Sequence, residues 1–120
     1  MFEDSLRRLV ENVEGGLACV VMGFDGISLE KYLSPEPGAF DVETIGMEYS
    51  VVLRQIRNTA GMLDAGDLGE VAIRNERLTA ILRPISNEYF LLFAMKPDGN
   101  FGKGRYMARL VAPEIRRELA

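Results

Sequence analysis

The residues most able to do chemistry in this sequence are one cysteine, two pairs of carboxylates and one glycine-rich segment. Cys19 is the only cysteine in the 120 residues, and histidine is absent. The composition therefore excludes an internal disulfide, a cysteine–histidine pair, a serine–histidine–aspartate triad and zinc sites built from histidine or several cysteines. The chain therefore lacks the residues on which many hydrolases and metalloenzymes depend, and no bound metal is expected.

The cysteine and the carboxylates favour structural roles. Cys19 lies in an apolar run without a basic neighbour that would lower its pKa, which is typical of a buried structural thiol. The carboxylate pairs fall near predicted helix ends, where they suit the helix dipole, a cap or a turn. These pairs are Glu3 with Asp4, and Asp64 with Asp67. No residues form an acid–base pair, so the sequence predicts no catalytic residue and no cofactor.

The segment over residues 98–104 reads DGNFGKG and has the glycine density of a phosphate-binding loop. A nucleotide-binding P-loop ends in Gly-Lys-Ser/Thr, whereas Gly104 stands where the magnesium-binding hydroxyl is needed. The segment is therefore interpreted as a flexible connection from a strand to a helix, with nucleotide binding as the less favoured alternative.

The charge and hydropathy of the chain argue against nucleic acids and membranes as partners. Fourteen Lys and Arg against 18 Asp and Glu give a net charge of -4, which disfavours nonspecific binding to polyanions. The chain begins MFEDS, which is acidic where a signal peptide is basic. Its longest apolar run, residues 17–22, is far shorter than the roughly 20 residues that span a bilayer. We expect a cytoplasmic protein that does not insert into membranes.

Hydrophobic periodicity predicts eight elements within a single domain over residues 1–120. The predicted helices cover residues 2–14, 41–63 and 104–119, and the predicted strands cover 17–24, 27–33, 69–74, 77–85 and 89–96. The first strand is apolar throughout, as expected for burial on both faces, and Asp25-Gly26 predicts a hairpin turn. Pro113 predicts a kink or a restart of the last helix. Strands adjacent in sequence can pair antiparallel, so the fold class is α+β in the order α-β-β-α-β-β-β-α.

The long helix over residues 41–63 has a wider apolar arc than a helix on a sheet requires. One stripe is predicted to face the core and contains Val42, Ile45, Tyr49, Val52, Ile56 and Leu63. A second strip, here named the outer strip, contains Met47, Val51, Arg54, Gln55, Asn58 and Met62. Exposed methionine and valine among arginine and glutamine are typical of a protein-binding surface. The alternative is a helix that a neighbouring loop buries more deeply.

Three segments carry a resemblance to a known family, on a matching order of elements. They are residues 20–26 (VVMGFDG), 69–73 (GEVAI) and 102–106 (GKGRY). With these segments the chain resembles the Roadblock (dynein light chain type) family over nearly its whole length, and within that family the bacterial MglB group. The resemblance implies a five-stranded antiparallel sheet with the long helix on one face and the terminal helices on the other.

The resemblance also implies partners and a mode of action. MglB-like proteins are homodimers whose third strands pair edge to edge, so that the two long helices lie side by side. In this chain the pairing strand supplies Glu70, Val71, Ala72, Ile73 and Arg74. Such dimers bind a small Ras-like GTPase of cell polarity and gliding motility, and they stimulate GTP hydrolysis through the paired helices rather than with an arginine finger. The outer strip lies on that face and is therefore the expected GTPase-binding surface.

Two classes of function remain open for this sequence. The first is a homodimeric regulator that binds a small GTPase and stimulates GTP hydrolysis. The second is a non-catalytic scaffold or adaptor in a larger complex, because some Roadblock proteins are passive scaffolds. An enzyme or a small-ligand sensor is disfavoured because catalytic groups are absent, and the family has no short catalytic motif to carry over.

Overall fold

The computed structural model describes residues 1–119, which form three helices and five strands in the predicted order. They are α1 (Glu3–Glu11), β1 (Gly16–Gly23), β2 (Ser28–Leu33), α2 (Val42–Met62), β3 (Val71–Arg74), β4 (Thr79–Pro84), β5 (Tyr89–Met95) and α3 (Phe101–Leu119). The strands form one antiparallel sheet in the order β2-β1-β5-β4-β3. Helix α2 covers one face, and α1 and α3 cover the other. The predicted α+β fold class is confirmed.

The central strands β1 and β5 supply side chains alternately to two cores. In β1, Cys19 and Val21 contact the core beneath α1 and α3, whereas Val20 and Met22 contact the core beneath α2. All of β1 after Gly16 is buried, which confirms the prediction that both of its faces are covered. A strand with this pattern must be apolar at every position, because no side chain points to water.

The predicted hairpin turn joins β1 to β2. Gly26 adopts a φ of 86°, and its N–H donates to the carbonyl of Gly23 at 2.9 Å. The Asp25 carboxylate accepts a hydrogen bond from the N–H of Ile27 at 3.1 Å. A positive φ favours glycine, so the Asp-Gly pair fixes the place where the chain reverses.

The buried face of α2 differs from the predicted core stripe. The buried residues of this helix are Val42, Gly46, Ser50 and Leu53. In contrast, Val52 is 40% exposed and Leu63 lies beyond the helix with 71% of its surface exposed. The cause is a close approach at Gly46, where a Cβ atom would lie 2.7 Å from Cε of Met22. The helix turns its small residues toward β1, and a count of apolar residues alone does not detect this.

The last helix begins at Phe101, three residues before the predicted start. The Asn100 side chain caps it by accepting a hydrogen bond from the N–H of Lys103 at 3.1 Å. Of the two effects predicted for Pro113, a kink or a restart, the restart does not occur, because α3 continues through this residue as one helix.

The glycine-rich segment that precedes α3 packs against the connection between α1 and β1. A Cβ atom at Gly99 would lie 2.5 Å from the carbonyl oxygen of Glu14. The N–H of Asn100 donates to that same oxygen at 2.8 Å. The segment joins β5 to α3, as predicted, but its glycine at position 99 serves close backbone packing rather than flexibility.

Candidate partner-binding surfaces

The outer strip of α2 is open to solvent along its length. All six of its residues are exposed, and they are Met47, Val51, Arg54, Gln55, Asn58 and Met62. The exposed fractions of the apolar members are 50% for Met47, 47% for Val51 and 83% for Met62. Within residues 1–119 no loop covers the strip, so deeper burial of the helix does not explain its apolar side chains. The structure places the six residues on one surface, turned away from the sheet.

Arg57 has a separate role that the sequence did not reveal. Its guanidinium lies 3.8 Å from the centre of the Phe24 ring and donates to the carbonyl of Asn87 at 2.9 Å. These contacts tie the second half of α2 to the residue after β1 and to the turn between β4 and β5. Only the tertiary fold brings these three residues together, so no local sequence signal was available.

Strand β3 forms one edge of the sheet, as the resemblance implied. Its side chains alternate, with Val71 and Ile73 toward the α2 side and Ala72 and Arg74 toward the α3 side. The N–H of Asn75 donates to the carbonyl of Leu78 in the turn to β4 at 2.8 Å. Because backbone groups alternate in direction along an antiparallel strand, those of Ala72 and Arg74 point to the free edge.

An apolar flank of α2 lies beside the β3 edge. Ile45 and Tyr49 line a groove together with Leu78 and the turn between β3 and β4. The same helical flank continues to Val52, which is exposed, and to Ile56, which is half-buried. The predicted core stripe is therefore confirmed at Val42, which is buried, whereas the rest of it forms a lateral surface beside the free edge of the sheet, with Ile45 and Tyr49 still packed against the core.

The remaining candidates for chemistry have structural surroundings. The Cys19 thiol is fully buried, with its sulfur 3.6 Å from the carbonyl oxygen of Leu6, and burial raises the pKa of this thiol. Glu3 and Asp4 lie in the first turn of α1, where they face the positive end of the helix dipole. Asp64 adopts a φ of 51° directly after α2 and ends that helix.

Three exposed apolar residues of the β1–β2 hairpin were not singled out from the sequence as surface candidates. Ile27, Leu29 and Leu33 are 65%, 44% and 43% exposed. Their alternation was visible in the sequence, but only the position of β2 at the second edge of the sheet shows that this side is uncovered. No helix within residues 1–119 is long and apolar enough to cross a membrane.

Neither a protein-family model nor a curated protein matches the chain. Among solved structures, MglC from Myxococcus xanthus is 44% identical, with a TM-score of 0.72, and the match covers 98% of both chains. A Roadblock/LC7 domain from Streptomyces avermitilis is 17% identical over 96% of this chain and 94% of that one, with a TM-score of 0.80. The gliding protein MglB from Thermus thermophilus is 14% identical over 99% of this chain and 90% of that one, with a TM-score of 0.87.

The matches to the Roadblock/LC7 domain and to MglB show a shared fold, because identities of 17% and 14% carry no more than that. The match to MglC extends over the whole chain at 44% identity and so reaches the level of a family relationship. The resemblance that rested on three short segments is therefore confirmed, and the chain belongs to the Roadblock/LC7 family.

Proposed function

We propose that this protein is a homodimeric regulator without catalytic chemistry of its own. It binds a small Ras-like GTPase on the outer strip of α2 and stimulates GTP hydrolysis, in cell polarity or motility of a bacterium. The observation that carries the proposal is the open apolar surface of α2 in a member of the Roadblock/LC7 family. The shared fold with a gliding protein, MglB, supports the link to motility.

The outer strip has the composition of a binding surface. Met47, Val51 and Met62 supply apolar contact area, and Arg54, Gln55 and Asn58 supply polar groups around it. Arg54 lies in the middle of a helix and is poorly placed to reach into a deep nucleotide site. An inserted arginine finger accelerates GTP hydrolysis by about 10³–10⁵. Stimulation in this protein instead relies on two helices that reshape the bound GTPase.

The proposed dimer forms through the free edge of β3. Two copies related by a two-fold axis pair their edges with Ala72 opposite Ala72 of the partner subunit, since the backbone groups of this residue point outward. In this register Glu70 lies opposite Arg74 of the partner subunit, and Val71 lies opposite Ile73 of the partner subunit. Opposite charges on the α3 side and apolar contacts on the α2 side both favour this register.

A second candidate function is a non-catalytic adaptor. It stays open because some Roadblock proteins are passive scaffolds, and because the 14% identity to the MglB of Thermus thermophilus carries a shared fold and no activity. In an adaptor the outer strip binds a protein partner in the same way, but the hydrolysis rate of a bound GTPase does not change.

The test uses purified small Ras-like GTPases loaded with GTP. Calorimetry measures binding, and single-turnover hydrolysis at saturating protein measures stimulation. Val51→Asp places a charge in a desolvated contact and should weaken binding by at least about 100-fold. Arg54→Ala should weaken binding only modestly and leave the saturated rate within a few-fold. Leu110→Asp, on an exposed position of α3, is the matched control and should bind the GTPase normally.

The outcomes separate the two functions. Binding with faster hydrolysis supports the regulator, whereas binding without acceleration supports the adaptor. A folded, dimeric Val51→Asp variant that binds and stimulates normally would remove the outer strip from either function.

A further inference from the structure

A second surface, on the side of the sheet opposite the outer strip, concentrates positive charge in a chain whose net charge is -4. It is a cavity of about 420 Å³ between the start of β3, the end of β4 and the first turns of α3. This basic pocket is lined by Gly69, Glu70, Arg83, Gly102, Arg105, Tyr106 and Arg109. It therefore contains three guanidinium groups and a single carboxylate.

Charged residues on the two flanks of α3 have different surroundings. Arg105 and Arg109 lie one turn apart on the flank that borders the basic pocket. Glu114 lies on the flank toward α1, where its carboxylate pairs with Arg8 and accepts from the Ser5 hydroxyl at 2.8 Å. The Glu114 carboxylate is therefore paired within the fold, whereas the flank with Arg105 and Arg109 faces the pocket.

The hydrogen-bonding capacity of Arg83 is not used by the fold. One oxygen of Glu70 accepts a hydrogen bond from Nε of Arg105 at 2.8 Å and lies 2.7 Å from Nη2 of the same guanidinium. Arg83 reaches the other oxygen only at 3.7 Å and makes no hydrogen bond within residues 1–119, although its side chain is only 22% exposed. The guanidinium therefore keeps N–H donors for which residues 1–119 provide no acceptors. An anion entering the pocket would supply them.

Two glycines keep the basic pocket open. A Cβ atom at Gly69 would meet nothing within 4 Å, and one at Gly102 would meet only the Asn100 side chain at 4.0 Å. Neither glycine has a positive φ, so the backbone does not require glycine at either position. The absence of side chains here preserves space beside the arginines.

We propose that the basic pocket binds a carboxylate of an acidic, partly apolar segment of a partner protein. A planar guanidinium can form two parallel hydrogen bonds with a carboxylate. Glu70 offsets part of the positive charge of the three arginines, so the remaining charge suits single carboxylates. Tyr106 and Leu110, which are 51% and 44% exposed on the same helix, offer apolar contacts beside the pocket. A nucleic acid fits poorly, because its extended phosphate backbone would meet the negative charge of the remaining surface.

The pocket does not depend on the proposed function of α2, because the two surfaces lie on opposite faces of the sheet. A protein with both surfaces can hold two partners at once. The basic pocket therefore adds a role to the proposed regulator, which connects a partner bound on α2 with an acidic segment bound on the opposite face of the sheet.

The experiment measures fluorescence anisotropy of a labelled synthetic peptide of glutamates and leucines with the full-length protein. A peptide of lysines and leucines is the negative control, and inorganic phosphate is the competitor. Arg83→Met and Arg109→Ala should each weaken binding by about tenfold, since each removes charge-assisted hydrogen bonds. Gly102→Leu should block the pocket while favouring the helix. Arg117→Ala, an exposed arginine of α3 outside the pocket, should leave the affinity within about twofold.

The expected result is selective binding of the acidic peptide that weakens in these three pocket variants and at high salt. The proposal is overturned if the wild-type protein does not bind the peptide, or if folded Arg109→Ala and Gly102→Leu variants bind it normally. Displacement by phosphate at concentrations matching the peptide carboxylates would also overturn it, since the site would then recognise any small anion. Val51→Asp should bind the peptide normally, which separates failure at the pocket from failure at α2.

Discussion

The two faces of the sheet are covered in different ways. On one face α1 and α3 lie together over a core that includes Phe93, Met95 and Ile115, all fully buried. On the other face α2 is the only helix within residues 1–119, and it buries just four of its residues. The outward surface of α1 is mostly charged or polar, whereas that of α2 carries methionine and valine.

This difference assigns separate tasks to the two faces. The face with two helices has the larger set of buried residues. The face with one helix leaves apolar surface along the outer strip and along the flank beside β3. Exposed apolar surface of this kind marks sites for protein partners, and the proposed occupants here are a GTPase and a second copy of the chain.

The largest loss of stability is expected from Phe93→Ala, in the core beneath α1 and α3. Phe93 is fully buried, so truncation should lower the free energy of unfolding by about 3–5 kcal/mol. Val51→Ala on the outer strip should change it by less than about 0.5 kcal/mol. Urea denaturation at a fixed protein concentration measures both variants. Equal losses in the two variants would contradict the division between a stabilising face and a binding face.

The next prediction separates the free edge of β3 from its ladder with β4. Ala72→Pro removes an outward N–H and should convert the dimer to a folded monomer. Ile73→Pro removes an N–H that points toward β4 and should weaken the fold itself. Light scattering coupled to size exclusion gives the mass, and circular dichroism gives the fold. A monomeric wild type at high micromolar concentration, or a dimeric Ala72→Pro variant, would refute pairing through β3.

A smaller effect is expected at Cys19, which lies between β1 and α1. Cys19→Ala should cost about 1 kcal/mol of stability, as for other small truncations in a core, and should leave partner binding unchanged. Burial raises the pKa of this thiol, so little thiolate is available at neutral pH. Labelling of the native protein by a thiol reagent should be slow and should accelerate in denaturant. Rapid labelling without denaturant would contradict a structural role.

The order of the elements and the pairing of strands adjacent in sequence were predictable because they depend on local patterns, whereas the pairing of β1 with β5 is not local. The apolar run of β1, the Asp-Gly turn and the spacing of α2 each act over a few residues. The rotation of α2 was not predictable in the same way, because Gly46 and Ser50 face the sheet and neither registers as apolar. Its cause is contact with Met22, a residue far away in the sequence.

The same distinction between local patterns and long-range contacts applies to the two proposed binding surfaces. The outer strip was predictable because helical periodicity alone places its residues together. The basic pocket was not, because Glu70, Arg83 and Arg105 come from three separate elements and meet only in the folded chain. Sequence patterns therefore reveal surfaces carried by one element better than surfaces assembled from several.

The smallest predicted effect concerns the start of α2, which has no helix beside it. The Asp41 carboxylate accepts from the Thr44 hydroxyl at 2.7 Å and from the Thr44 N–H at 3.2 Å. These hydrogen bonds hold the pKa of Asp41 below its ordinary value of 3.8. The cap therefore stabilises the fold fully above the unfolded-state pKa, and this contribution disappears as the pH falls through the lower folded-state pKa.

Asp41→Ala should consequently lower the Tm slightly at about pH 7, and the difference from the wild type should shrink as the pH falls below 3.8. Asp41→Asn is the matched control, because an amide caps a helix without titrating at these pH values. It should stay close to the wild type at neutral pH, and its cap should persist in acid. Thermal melts of the three proteins between about pH 7 and about pH 2.5 measure the effect. A gap between the wild type and Asp41→Ala that stays constant over this range would show that the ionised carboxylate does not provide the cap.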